Sequence, residues 1–165
     1  MSTANFTRAD LLRYTATMNQ MRNAVYHLVR RMTAKNIQNM DDKLQAMGRR
    51  IAVDFARAWA PETHIFEKFV KETYFGVLRS KVKIEIDAPT KTIKVTDEKC
   101  PHCKYRYEDI TVAGCNIVTG FMEAYTHELK VAGKINFELK TLGVAESRMY
   151  GDEKCVHMYR LEGNI

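Results

Sequence analysis

Cysteine is absent from the first 99 residues of this chain and then occurs four times, as Cys100, Cys103, Cys115 and Cys155. Four cysteines in 165 residues are too few for a disulfide framework, and a reducing compartment would discourage one. Cys100-Pro101-His102-Cys103 is a C-x-x-C turn, which presents two thiolates to one ion, whereas a tetrahedral zinc wants four such ligands. Cys115 and Cys155 lie 12 and 52 residues beyond Cys103, so this is no ribbon of paired knuckles. If all four sulfurs meet, the fold must bring a loop, the start of a helix and the start of a strand to one point. Cys100, Cys103, Cys115 and Cys155 are therefore the candidate metal ligands. Glu146, His102 and His157 are substitutes should one thiolate point away. Four thiolates suit zinc and iron alike.

Two other readings stay open. Cys115 and Cys155 can be small buried core residues, as free cysteines often are. Cys-Pro-His-Cys is also the tetrapeptide of thiol-oxidising members of the thioredoxin family, in which the first thiol is activated at a helix start. That fold needs the motif early, with a cis-proline later, and no proline follows Pro101.

The periodicity around these cysteines predicts the elements. A Thr7-x-x-Asp10 cap opens a helix of about 25 residues, whose apolar stripe is Leu11, Tyr14, Met18, Met21, Val25, Leu28 and Met32. Such a helix spans close to 40 Å, so part of its seam is free to pack on a second copy. Asn39, Asp41 and Asp42 start a second helix with Leu44, Met47, Ile51, Phe55 and Ala58 on its apolar face, ending before Pro61. A third, aromatic-rich helix carries Ile65, Phe66, Phe69, Val70, Tyr74 and Phe75, with Gly76 as its expected terminator. The period then switches to two. Val82, Ile84 and Ile86, a turn at Ala88-Pro89-Thr90-Lys91, then Ile93 and Val95 read as a hairpin. After a polar loop over 98–109, a helix over 111–131 buries Ile117, Val118, Phe121, Met122, Tyr125 and Leu129. Two alternating segments follow, around Ile135–Leu139 and Cys155–Leu161. The order ααα-ββ-α-ββ predicts an α+β fold, helices packed on a four-stranded antiparallel sheet, in one domain over 1–165.

Composition narrows the function classes. No apolar run approaches the ~20 residues of a membrane span. Met1-Ser2-Thr3-Ala4-Asn5-Phe6 lacks a signal-peptide pattern, so a cytoplasmic protein is expected. The net charge of +6 sits in the first half, where residues 1–80 carry 13 Lys and Arg against 7 Asp and Glu. These cations interleave with a helical apolar pattern and read as a solvated face, which leaves nucleic-acid binding the least supported partner class.

Gly114-Cys115-x-x-x-x-Gly120-Phe121, then Glu146, then Gly151-Asp152-x-x-Cys155 resemble the 4-vinyl-reductase domain. That family includes archaeal hydrocarbon-binding proteins and the sensor domains of phenol- and toluene-responsive activators, and is structurally related to the TRAPP vesicle-tethering subunits. Leu44-x-x-Met47-Gly48-x-x-Ile51-Ala52 resembles the helix of those subunits that carries a Met-Gly pair. The resemblance spans residues 40–161. It implies the α+β fold read above, a homodimer paired through the first two helices (residues 1–38 supplying the first), and an apolar pocket between helices and sheet. In the sensors, zinc is held by a late-helix cysteine, a glutamate and cysteines of the final hairpin, which correspond here to Cys115, Glu146 and Cys155. This chain has Met149 where the sensors have another cysteine, its final connection is two residues shorter, and it adds Cys100 and Cys103. The simplest reconciliation lets the Cys100–Cys103 knuckle replace the missing cysteine and Glu146.

The function expected is a zinc-containing protein that binds or senses a small apolar or aromatic ligand without catalysis. Trp59, Phe66, Phe69, Tyr74, Phe121 and Tyr125 are its candidate lining. A closed four-thiolate zinc is structural rather than catalytic. The first alternative is a TRAPP-like scaffold subunit. The second is a thiol- or metal-dependent enzyme, although the sequence has no dinucleotide fingerprint and no nucleophile–base arrangement.

Overall fold

The computed structural model describes residues 8–163, without the side chains of residues 9–15. The Thr7 cap, and the side chains of Asp10, Leu11 and Tyr14, lie outside the described set. Within it are helices α1 (Arg8–Ala34), α2 (Met40–Ala58), α3 (Phe66–Leu78) and α4 (Asn116–Val131), with strands β1 (Val82–Asp87), β2 (Thr92–Asp97), β3 (Phe137–Glu146) and β4 (Cys155–Gly163). The strands form one antiparallel sheet in the order β1-β2-β4-β3, so the two hairpins join through β2 and β4. This is the α+β order that the periodicities predict.

Local signals explain most boundaries. Asp41 and Asp42 occupy the first turn of α2, where carboxylates complement the positive end of the helix. Two differ from expectation. Gly76 does not terminate α3, which runs on to Leu78 and ends with Arg79 in the left-handed region (φ 54°). At Gly76 an added Cβ would come within 3.0 Å of the Trp59 ring, so the glycine admits the indole. Helix α4 begins at Asn116 rather than near 111, with Cys115 as its N-cap.

Alternation decides which face of the sheet is buried. Ile93, Val95, Cys155, His157, Tyr159 and Leu161 point to the side covered by α3 and α4. There Phe137 of β3 meets Phe66 and Phe69 of α3 edge-on, with centroids 5.0 and 5.2 Å apart. Phe69 and Phe121 in turn stack on Tyr125 of α4.

The helical stripes resolve differently from the way their bulk suggests. Met18, Val25 and Met32 of α1 are buried, but Met21 and Leu28 are exposed. On α2 the buried face is Leu44, Gly48, Ala52 and Ala56, whereas Met47 and Ile51 face outward. The cause is the α2–α4 crossing. An added Cβ at Gly48 would lie 2.0 Å from the Ile117 carbonyl oxygen, and one at Gly120 would lie 2.1 Å from that of Gln45. Two backbones this close exclude large side chains, so the bulky residues rotate away. Polar ties hold the crossing in register: Asn116 Nδ2 donates to Asp41 Oδ1 (2.6 Å), and Arg49 pairs with Glu123 (2.7 Å).

Gly48→Ala is expected to destabilise the fold by about 1–3 kcal/mol or more, because backbone rather than a movable side chain blocks the methyl. Gly76→Ala, against the movable edge of an indole, should stay within about 1 kcal/mol of the parent. Urea denaturation of both variants checks the contrast.

A four-cysteine centre and a neighbouring apolar cavity

The C-x-x-C segment leaves β2 and forms a single 3-10 turn, Pro101–Cys103, in which the Cys103 amide donates to the Cys100 carbonyl (3.3 Å). The ladder pairs Asp97 at the end of β2 with Cys155 at the start of β4. Cys115 caps α4 from the other side. All four cysteines are buried, and their sulfurs lie within 4.8 Å of one another. A tetrahedron of ~2.3 Å zinc–sulfur bonds has edges of roughly 3.8 Å, so a small inward movement would close the set on an ion. Contacts among the thiols, with Cys100 the largest influence on the other three and Cys103 the largest on Cys100, hold Cys103 and Cys155 below the ordinary thiol range and push Cys100 and Cys115 above it. The donor set, four soft and buried sulfurs, fits a metal ion well.

The substitute ligands are elsewhere. Glu146 is half-exposed and pairs with Lys154 (3.8 Å). The His157 Nδ1 lies 2.8 Å from the Tyr74 hydroxyl, which also contacts the Tyr159 hydroxyl at 2.8 Å. Neither His102 nor His157 joins the sulfur cluster. Burial pulls both imidazoles down to a pKa of about 4, which leaves them neutral near pH 7. Burial also pushes the Asp97 carboxyl up to about 6.

Sequence reasoning missed Ser147. Its buried hydroxyl donates to Cys103 Sγ (3.4 Å), lies 3.8 Å from Cys155 Sγ, and accepts the Met149 amide (3.1 Å). Asp152 Oδ2 accepts the Ser147 amide (2.8 Å), which folds the β3–β4 connection over the sulfurs, and the Tyr150 hydroxyl accepts the Ala113 amide (3.1 Å). Met149 is buried in this turn. A short polar residue beside Glu146 was the only signal, and its role depends on the turn's closure.

Helix α1 is tied to the same loop. The Tyr26 hydroxyl lies 2.9 and 3.1 Å from the His102 and Tyr105 carbonyls, Arg22 stacks over the Tyr105 ring, and Arg30 pairs with Asp109.

An apolar cavity of about 380 Å³ lies against this centre. Its walls are Met21, Val25 and Leu28 of α1, Met47 and Ile51 of α2, Leu78 of α3, and Ile117, Val118 and Phe121 of α4, with His102 from the C-x-x-C turn. A wider open groove of about 1650 Å³ runs along α3, beside β1. Of the expected lining residues, Phe121 borders the cavity, and Trp59 and Phe66 border the groove. Phe69, Tyr74 and Tyr125 are buried and border neither; the Tyr125 hydroxyl instead donates to the Trp59 carbonyl (3.0 Å). No helix of the described residues is long and apolar enough to cross a membrane.

No family model matches this sequence, and no curated protein matches it. Among solved structures it is similar to a trafficking protein particle complex subunit 3 from Naegleria fowleri, in a crystal structure of that protein covalently bound to palmitic acid. The TM-score is 0.70 at 12% identity, over 92% of this chain and 98% of that one. The two share a fold.

About one metal ion per chain is expected in protein purified without added metal, with the thiols unreactive until a chelator removes it. Chelation should lower the melting temperature by several degrees, read by elemental analysis, thiol titration and a thermal melt. Four titratable thiols in metal-free protein would contradict this.

Proposed function

We propose that this chain is a non-catalytic binding module of the 4-vinyl-reductase type, in which a structural zinc held by Cys100, Cys103, Cys115 and Cys155 supports a cavity for a small apolar ligand. The observation that carries the reading is the shared wall. His102 sits between two of the cysteines, and Ile117 and Val118 follow a third, yet all three residues border the cavity. A zinc bound there would supply no open coordination position. Its binding energy would be folding energy, spent on fixing the turn, the start of α4 and the start of β4 relative to one another. The volume lies in the range of small-molecule sites, ~300–1,000 Å³. Four buried thiols suit a reducing compartment, so we assign the protein to the cytoplasm. Because every cysteine of the chain belongs to the cluster, an acyl chain or hydrocarbon would be held here without a thioester.

A scaffold role is the second reading, and a specific observation favours it. Met21, Leu28, Met47 and Ile51 are exposed on α1 and α2 at the rim of the cavity, where a second copy would cover them. Pairing and ligand binding are compatible, since a partner there would close the cavity mouth. A thiol-dependent enzyme gains no support from four buried sulfurs.

Naphthalene is expected to bind the metal-loaded protein saturably, at about one site per chain, in a calorimetric titration. Ala24→Phe, which enters the cavity from the exposed side of α1, should weaken that binding roughly tenfold or more while leaving the melting temperature near the parent's. Absence of binding would remove the ligand reading. Light scattering then tests the scaffold: a dimer that Met47→Glu with Ile51→Glu converts to monomer supports pairing through these helices.

A further inference from the structure

The two edges of the sheet are built differently. Strand β3 breaks its register with β4 twice, between Thr141 and Gly143 and between Val144 and Glu146, and Gly143 has a φ of 100°. Bulges of this kind twist an edge away from further pairing. Strand β1, at the other end of the order β1-β2-β4-β3, lacks that protection. Its ladder with β2 runs unbroken from Val82 to Asp87 and contains no proline, and among the described residues no other backbone segment bonds to it. Every second residue of an antiparallel edge strand turns its N–H and C=O outward, so β1 is a template for another strand.

The side chains of β1 say which strand fits. Lys83, Glu85 and Asp87 are exposed on one face, in step with the exposed Lys81 just before the strand. Val82, Ile84 and Ile86 lie on the other face, where Val82 and Ile86 line the wide groove beside α3. Two copies joined edge to edge about a two-fold axis keep these faces aligned only when the axis passes at one residue. Centred on Lys83 or on Glu85, that residue would face its own like charge. Centred on Ile84, Lys83 faces Glu85, Lys81 faces Asp87, Val82 faces Ile86, and Ile84 faces Ile84. Opposite charges and β-branched pairs facing each other stabilise a ladder, and like charges destabilise it. Lys83 and Glu85 contact Glu98 (2.6 Å) and Lys94 (3.4 Å) in their own chain, yet both stay exposed and can be shared.

We propose that β1 is a self-docking edge: two copies of this chain pair antiparallel through β1, centred on Ile84, and join their sheets into one of eight strands, four from each copy. The helices of both copies then lie on the same face, and the floors of the two grooves meet at Val82 and Ile86. One short strand from each side is a contact at the low end of interface size, so the association depends on concentration. The contact is separate from any pairing through α1 and α2 and does not depend on the cavity or its ligand.

Sedimentation equilibrium of the metal-loaded full chain, over about 10 µM to about 1 mM, reads the association. Every chain compared carries Met47→Glu and Ile51→Glu, which removes pairing through α1 and α2, and this reference chain should still dimerise. Lys83→Glu, and separately Glu85→Lys, each set two like-charge pairs across the contact and should weaken the dimer roughly tenfold or more. Lys83→Glu combined with Glu85→Lys restores opposite charges across the two-fold axis and should return the affinity to within about threefold of the reference. Inside one chain the same double exchange sets like charges against Glu98 and Lys94, so intrachain pairing cannot produce the recovery. A measurement on the unaltered protein guards against a variant that does not fold. In a mixture of isotope-labelled and unlabelled chains, filtered NMR should show contacts from Ile84 to Ile84 and from Val82 to Ile86 between copies. Association indifferent to the single exchanges, no recovery in the double exchange, or contacts in another register each overturn the proposal. So does a monomer at every concentration, which would assign the β1 edge to an extended segment of a different protein.

Discussion

Four buried thiols have to share one small volume, and much of the chain's path follows from that. The sulfurs come from the turn after β2, the cap of α4 and the first residue of β4. Bringing them within 4.8 Å sets the start of α4 against the β2–β4 ladder. Residues 147–152 then fold over the sulfurs through the Ser147 hydroxyl and the Asp152 carboxylate. Helix α1 has its described polar anchors on the loop that carries Cys100 and Cys103, through Arg22, Tyr26 and Arg30. A perturbation of the cysteine turn is thus transmitted to α1 as well as to α4.

The second constraint is steric. Gly48 and Gly120 let α2 and α4 meet at backbone distance, and that approach turns Met47 and Ile51 outward. On α1 the stripe divides in the same sense, with Met18, Val25 and Met32 inward and Met21 and Leu28 outward. The outward residues of the two helices converge on one hollow beside the cysteine turn, so the cavity is a by-product of close packing elsewhere. This explains how a chain with an apolar content of 45% can have a dense core and still present an apolar recess.

The aromatic residues show why composition alone misplaces a binding site. Phe69, Tyr74 and Tyr125 have the size and shape of a ligand cage, but they are spent on the interface between α3, α4 and the sheet, where edge-on and stacked contacts fill the space. Tyr74 also partners Nδ1 of the buried His157 and the Tyr159 hydroxyl. The recess is lined instead mostly by aliphatic and thioether side chains, whose signal in the sequence is indistinguishable from that of ordinary core.

The sequence by itself determined the kinds of element and their order. Helix and strand periodicities are local properties, as are capping carboxylates such as Asp41 and the turn at Ala88–Lys91. It also singled out the four cysteines, because a C-x-x-C turn with two further cysteines has few other uses. Only the tertiary structure decided the end of α3 at Leu78 rather than Gly76, the outward rotation of Met47 and Ile51, the part played by Ser147, and the place of His102 in the cavity wall. Each of these depends on groups far apart in the chain: an indole against a glycine, one backbone against another, a hydroxyl against a thiol. Periodicity reports which residues are apolar along one element; the distance between two elements decides which of those residues can be buried there.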